Sequence, residues 1–315
     1  VKIGDIEILP VLDGTIRSRL PATKPLPDAE SEEWRAQHGM FEADGTVIST
    51  AGGFLVRTGD RLVLVDAGIG PEPPGGFQPL VIDPDDTDDP IVAGFLAQGM
   101  GREQIVAIAD HFGATRIERG NLPSSLRALG VEPDEVTDVV CSHLHFDHIG
   151  WVATDGAPYF PNATIRCARA DLDFFLPSNE QEAMTTVVYQ APAAPERLAP
   201  VADRIETWDA DRTLFPGFDV RLTPGHTPGS SVVVLSSGTE RAMLLGDMIH
   251  CPLELQDDEF NMIVDVDQEA ANRVREAYAR ELDGSGIAVS AAHFPGLQFG
   301  RLLPGQGVRR FVFDG

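Results

Sequence analysis

Apolar residues along the chain fall in short blocks of four to eight, separated by Gly, Pro and Asp, which is the pattern of strands joined by turns. Ile6 to Leu12 reads as a strand. Gly53 to Val56 and Leu62 to Val65 flank Thr58-Gly59-Asp60 and predict a hairpin. Val136 to Cys141 reads as a buried strand, and Ile165 to Ala168 and Phe218 to Leu222 as further ones. Val232 to Leu235 and Ala242 to Leu245, on either side of Ser237-Gly238-Thr239, predict a second hairpin, and Gly286 to Ser290 a last small strand.

Helical signals are fewer. Pro123 to Gly130 has Pro near the start and Gly past the end. Asp171 to Tyr189 is expected to be helical. Asp267 can cap a helix running to about Asp283, with Gly284 ending it. On that helix Val274, Ala277, Tyr278 and Leu282 form an apolar stripe suited to core packing. Pro21 to Thr46 reads as a mixed loop or short helix, and Gly70 to Pro90 as a surface loop. The acidic run Asp83 to Asp89 lacks the spacing and the glycine of a calcium loop and reads as a solvated segment. Two strand-rich halves with flanking helices fit an α/β architecture of two packed sheets covered by helices. With no repeat or linker, residues 1–315 are expected to form one domain.

Composition narrows the partners. The chain has 315 residues, 43% hydrophobic and 23% charged, which is ordinary for a globular protein. No apolar run approaches the roughly 18 residues needed to span a membrane, and the start lacks a signal-peptide stretch. Cys141, Cys167 and Cys251 stand at no zinc-site spacing and are expected to be reduced thiols in the cytoplasm. The net charge of −25, with 24 basic against 49 acidic residues, and no basic cluster beyond Arg309-Arg310 set nucleic acid aside. A small-molecule substrate, no membrane and a homodimer are the expectations.

The chemistry lies in His143-Leu144-His145-Phe146-Asp147-His148. Four metal-competent side chains fall within six residues, directly after a predicted strand. With period two, His143 and His145 can leave the strand on one side, while Asp147 and His148 follow on the turn. Imidazole with carboxylate suits zinc, iron or manganese. One such segment cannot complete two metal shells, and three later loops supply candidates. His226 lies in Thr223-Pro224-Gly225-His226-Thr227-Pro228-Gly229, Asp247 in Leu244-Leu245-Gly246-Asp247, and His293 in Ala291-Ala292-His293-Phe294-Pro295-Gly296. Each follows an apolar strand, where sites are commonly built.

This ordered set resembles the metallo-β-lactamase superfamily, and Asp66-Ala67-Gly68 after the strand Arg61 to Val65 resembles its early acid-glycine turn. The resemblance implies an αββα sandwich of two mixed β-sheets flanked by helices. It implies His143, His145 and His226 on one metal, Asp147, His148 and His293 on a second, and Asp247 bridging them. A hydroxide held between the metals would be the nucleophile, with Asp147 and Asp247 as the catalytic carboxylates. Two divalent ions are expected, Zn2+ first, with Mn2+, Fe2+ or Co2+ as alternatives.

Within the superfamily, Ser142 to Trp151, Gly246-Asp247-Met248-Ile249-His250 and His293-Phe294-Pro295-Gly296 resemble the branch holding N-acyl homoserine lactone lactonases and methyl parathion hydrolase. That implies hydrolysis of a lactone or carboxylic ester, in the manner of quorum quenching, with promiscuous phosphotriesterase activity. Alternatives are an organophosphate or aryl-ester hydrolase, a thioesterase like glyoxalase II, a mononuclear iron persulfide dioxygenase, or a metal-binding sensor or scaffold. His250 is a candidate for a hydrogen bond to substrate or to a ligand carboxylate, with plain packing as its other reading. His38 and His111 have no partner motif. A substrate pocket is expected among residues 21–46, residues 171–190 and the turn after His293. Trp34, Phe41, Trp151, Phe174 and Phe175 are candidates to line it or to pack the core.

Overall fold

The structure, a computed structural model, describes residues 1–19, 40–42, 44, 46–97, 99–177, 186–260, 264–305 and 309–314. The N-terminal half builds one sheet from β1 (Lys2–Ile3), β2 (Ile6–Arg19), β3 (Thr46–Thr58), β4 (Arg61–Val65), β5 (Arg116–Glu118) and β6 (Asp138–Val140). A small hairpin, β7 (Ala153–Thr154) and β8 (Ala157–Pro158), stands apart, and β9 (Thr164–Ala168) and β10 (Ile205–Trp208) complete the sheet. Its order is β1-β2-β3-β4-β6-β9-β10, with β5 paired to β2. The C-terminal half builds the second sheet from β11 (Arg212–Phe215), β12 (Phe218–Leu222), β13 (Ser231–Ser237), β14 (Glu240–Leu244), β15 (Ala288–Ser290), β16 (Gly300–Leu303) and β17 (Arg310–Phe313), in chain order.

Alternation along the central strands explains why both faces of each sheet are buried. Val63 and Val65 of β4 point between the sheets, where they meet Val233, Leu235 and Leu244 of the second sheet. Leu64 points the other way, into a core with Leu122 and Leu126 of α3 and with Leu172 and Phe175 of α4. These helices span Leu122–Ala128 and Arg169–Phe175, after α1 (Pro90–Ala97) and α2 (Arg102–Ala114). Val232 and Val234 likewise face Tyr278, Ala279 and Leu282. These lie on α7 (Gln268–Leu282), which follows α5 (Ala194–Leu198) and α6 (Leu253–Gln256). The result is helix, sheet, sheet, helix, as expected from the sequence.

Several elements differ from expectation. The helix expected over Asp171 to Tyr189 runs only from Arg169 to Phe175. Pro177 follows two residues later; Leu176 still has helical dihedrals, but proline has no N–H to bond back to Asp173, so the helix cannot continue. Residues 186–189 form a separate helical turn, and 178–185 lie outside the described residues. Strands β2 and β3 are far longer than their apolar cores, pairing from Glu7–Arg57 to Arg19–Thr46 across a bulge between Leu12 and Gly14. Two helices, α1 and α2, occupy a stretch in which the sequence marked none. On α7 the Asp267 carboxylate accepts the Ala270 N–H at 2.9 Å, as a cap should. Ala277 is exposed, however, and the buried face holds Ala271, Arg275 and Ala279 beside Tyr278 and Leu282. The three cysteines are buried and unpaired. Among the described residues no helix is long and apolar enough to cross a membrane.

Candidate metal centre

Strands β4, β6 and β9 run parallel in the first sheet, and β14 and β15 in the second. Side chains leaving their C-terminal ends therefore share one edge of the sandwich. His143 to His148 follow β6, His226 follows β12, Asp247 follows β14 and His293 follows β15. All seven converge there. His145 Nδ1 lies 2.9 Å from His143 Nε2 and 3.0 Å from His226 Nε2. Asp247 Oδ2 lies 3.0 Å from His293 Nε2, 3.6 Å from His226 Nε2 and 3.8 Å from His143 Nε2, while Asp247 Oδ1 lies 3.3 Å from His148 Nε2. Asp147 reaches His293 Nε2 at 3.6 Å and His148 Nε2 at 3.8 Å. Three-atom clusters able to hold a metal ion thus form from His143, His145 and His226, and from Asp147, His148 and His293, with Asp247 between them.

His250 joins this group. Its Nε2 lies 3.4 Å from Asp247 Oδ2, and its ring stacks parallel to His293 with centroids 5.7 Å apart. His226, Asp247 and His250 form a further cluster of metal-competent atoms. His111 lies on α2, outside the site, and His38 and Trp34 lie outside the described residues.

The loops are anchored from behind. Asp66, in the left-handed conformation at φ 62°, accepts the Ser142 N–H at 2.7 Å and the Ser142 hydroxyl at 2.8 Å, and lies 3.0 Å from His148 Nδ1. Asp171, fully buried on α4, accepts the Gly229 N–H at 2.6 Å and the Thr227 hydroxyl at 3.0 Å. It also takes a backbone hydrogen bond from Leu144, so it ties the His226 loop to the 143–148 loop. The His293 ring is fixed by its Nδ1 lying 3.0 Å from the Thr50 carbonyl. Gly225, at φ 152°, packs so closely on α7 that a Cβ would fall 2.4 Å from Ala271 backbone atoms. Gly246 similarly lets Asp247 approach, since a Cβ there would lie 2.8 Å from Ser142.

Residues 53–281 match the Metallo-beta-lactamase superfamily. The chain belongs to the metallo-β-lactamase superfamily. Among curated relatives, an N-acyl homoserine lactonase of Bacillus thuringiensis is 27% identical over 128 residues, 41% of this chain and 44% of the relative. N-acyl homoserine lactonase AiiB of Agrobacterium fabrum (strain C58) is 28% identical over 190 residues, 56% of this chain and 54% of the relative. The chain thus spans about half the length of the curated relatives it matches. Among solved structures, AidC, a dizinc quorum-quenching lactonase, aligns with a TM-score of 0.71 at 23% identity, covering 100% of this chain and 96% of that one. The hydrolase AbOPH aligns at 0.72 with the same identity and coverage. At such identity the structural likeness shows the fold.

The electrostatics of this metallo-β-lactamase site divide along its two halves. Burial, reinforced by neighbouring imidazoles, holds His143 and His145 well below the ordinary histidine range, and burial lowers His226 as well. These are neutral imidazoles, the form that ligates metal. Burial also opposes charge on His148 and His293, yet Asp247 and Asp147 outweigh it and raise both, with Asp66 adding to the effect at His148. His250 is pushed up to about 10 against its burial by Asp247 and Glu254. Asp247 itself is held well below the carboxylate range, because His293, His148 and His143 overcome its burial. The carboxylates therefore demand positive charge, which protons or cations can supply. Within this set the buried atoms His148 Nε2 and Asp247 Oδ1 have no hydrogen-bond partner. Orphaned ligand atoms facing each other, in a mixed nitrogen and oxygen donor set, fit divalent metal.

Sequence reasoning found the seven converging residues and flagged His250. It missed Asp171, Thr50 and Arg275, which reach Gly229, His293 and Met248 far away in the chain, and also Glu254 and Asp265, which hold His250 and His226. The pocket candidates fared unevenly. Trp151 donates its indole N–H to buried Asp13 at 2.9 Å. Phe41 packs with Met40, Val47, Cys251 and Phe260. Phe175 packs edge-on against His145 at 5.3 Å.

Proposed function

We propose that the protein is a dinuclear metal-dependent hydrolase of lactones or carboxylic esters, with weaker phosphotriesterase activity at the same site. His143, His145 and His226 would hold one divalent ion, Asp147, His148 and His293 a second, and Asp247 would bridge them. Zinc is the first choice of metal on its imidazole and carboxylate donors. The observation that carries the reading is the convergence of these seven side chains around the orphaned His148 Nε2 and Asp247 Oδ1. Support for the substrate class comes from the relatives, which are N-acyl homoserine lactonases.

Bound divalent cations supply Lewis acidity, which activates water and draws charge from an ester carbonyl. The chain's own groups do the rest. Asp147, beside His148 and His293, would carry a proton from the attacking water to the departing alkoxide. His250 orients Asp247 or a substrate oxygen. Phe146 stacks on Tyr189 at 4.5 Å, next to Asp147, and the half-buried Tyr189 ring would give an apolar face for an acyl chain or ring. Tyr189 keeps its proton, since burial and the Asp147 charge push its hydroxyl up to about 12.

The test compares kcat/KM for a homoserine lactone, an aryl ester, a paraoxon-type triester and a penicillin on one zinc-loaded preparation. The lactone or aryl ester is expected to lead. Preference for the penicillin, or turnover of thioesters alone, would overturn the substrate class. Elemental analysis should approach two metal equivalents per chain, whereas one equivalent after reconstitution would revive the mononuclear iron dioxygenase.

A further inference from the structure

Behind the metal-competent atoms lies a buried ion network that catalysis by the seven side chains does not itself require. Arg275 projects from α7 and is only 3% exposed. Its Nε donates to the Met248 carbonyl at 2.8 Å, directly after Asp247. Its Nη2 donates to Asp265 Oδ2 at 2.7 Å. The other oxygen of Asp265 lies 3.2 Å from His226 Nδ1. Arg275 Nε also lies 3.4 Å from Glu254 Oε1, while Glu254 Oε2 accepts the His250 N–H at 2.6 Å and the Cys251 N–H at 3.2 Å. One guanidinium thus ties together the three segments that carry His226, Asp247 and His250.

We propose that Arg275 is a positioning residue that sets the metal-binding geometry of His226 and Asp247 through Asp265 and the Met248 carbonyl. The inference rests on the reading of those two side chains as metal ligands. A buried guanidinium is costly unless its donors are satisfied, and Glu254 and Asp265 offset that cost. The fork also has a fixed shape that a lysine ammonium cannot copy, because Nε and Nη2 reach the Met248 carbonyl and Asp265 at the same time. Asp265 accepts from His226 Nδ1–H, which leaves Nε2 unprotonated and facing His145 and Asp247. If Arg275 only filled space, its loss would cost stability and leave the donor atoms' affinity for metal unchanged.

The experiment titrates Co2+ into metal-free wild type, Arg275→Lys, Asp265→Asn and the double variant, following the visible absorption of bound cobalt. Circular dichroism confirms that each is folded. Arg166→Lys is the control, since it loosens a part-buried ion pair in the first sheet, Arg166 Nε to Asp138 at 2.8 Å. Both single variants are expected to bind Co2+ roughly 10- to 100-fold more weakly than wild type, with an altered spectrum. The double variant should be no weaker than the weaker single, because both act through one path. The control should keep wild-type affinity. Should Arg275→Lys not fold, Asp265→Asn gives the same reading. Wild-type affinity and spectrum in the folded variants, equal losses in the control, or additive losses in the double variant would overturn the proposal. Failure of wild type to bind Co2+ at all would instead overturn the metal reading beneath it.

Discussion

His143, His145, Asp147 and His148 come from one six-residue segment, whereas His226, Asp247 and His293 arrive singly from three loops in the second half of the chain. In the first region the chain itself limits where the rings can go, and the anchors grip backbone: Asp66 holds the Ser142 N–H, and Asp171 that of Leu144. In the second region nothing local relates one ligand to the next. There buried charges link the His226 and Asp247 segments, with Arg275, Asp265 and Glu254 spanning from α7 to α6, while the Thr50 carbonyl holds His293. A dense motif needs hydrogen bonds to fix a loop already nearly determined. A dispersed set needs long-range ties, and charged ones have the reach and direction.

Asp247 touches both regions, so its removal should have the largest effect. Asp247→Ala takes away the carboxylate that lies near His143, His148, His226 and His293 together. Several kcal/mol of transition-state stabilisation are at stake, which predicts a fall in kcat/KM of roughly 10³-fold or more. Metal content measured on the same sample should drop with it. Retained activity would mean that the two regions work independently.

The seam between the regions has a pH dependence. Burial outweighs the hydrogen bonds from Thr227, Gly229 and Leu144 and raises the Asp171 carboxyl from 3.8 to about 6. The folded state then binds the proton more tightly than the unfolded state. The stability contributed by this group is complete below about pH 4 and is lost as pH rises through about 6. The loss is on the order of 3 kcal/mol. Asp171→Asn mimics the neutral acid and cannot titrate. Urea unfolding of the metal-free proteins should therefore show the advantage of wild type over Asp171→Asn shrinking between about pH 4 and pH 7. A constant difference would place the seam elsewhere.

Asp66→Ala strikes the first region alone. It frees the Ser142 N–H and the His148 Nδ1 edge, and it replaces a residue held at φ 62°. Metal affinity is expected to fall roughly 10- to 100-fold. In contrast to Arg275→Lys, the loss should be additive with that of Asp265→Asn, since the two anchors share no partner. A non-additive result would join the regions through a route other than Asp247.

The same contrast explains what the sequence made legible. The 143–148 segment announces itself because metal-competent residues are crowded at a strand end, and α7 because Asp267 and Gly284 bracket it. The strands around His226, Asp247 and His293 could be read from apolar blocks and turns. The helix expected to reach Tyr189 stopped early because Pro177 overrode an apolar pattern. Long β2 and β3 were undercalled because their outer halves intersperse Arg, Ser and Thr among isolated apolar residues, so no apolar block marks them. Asp171, Asp265 and Arg275 look like ordinary surface residues on paper. Only folding brings Asp171 to Gly229 and Arg275 to Met248. An acid or arginine whose partner is distant in sequence leaves no local pattern.

His250→Ala should have the smallest effect. The ring lies 3.4 Å from Asp247 and parallel to His293, but its own position is set by the Glu254 carboxylate on its backbone N–H. Removing the imidazole leaves that backbone bond and all seven proposed ligands in place. What is lost is a cationic neighbour, pushed up to about 10, that helps to keep Asp247 ionised. His293, His148 and His143 do the same, and they are the groups that dominate the Asp247 ionisation. The expected fall in kcat/KM is about tenfold, with metal content unchanged. A loss matching that of Asp247→Ala at full metal occupancy would show that His250 acts directly on substrate. The second region would then supply chemistry as well as ligands.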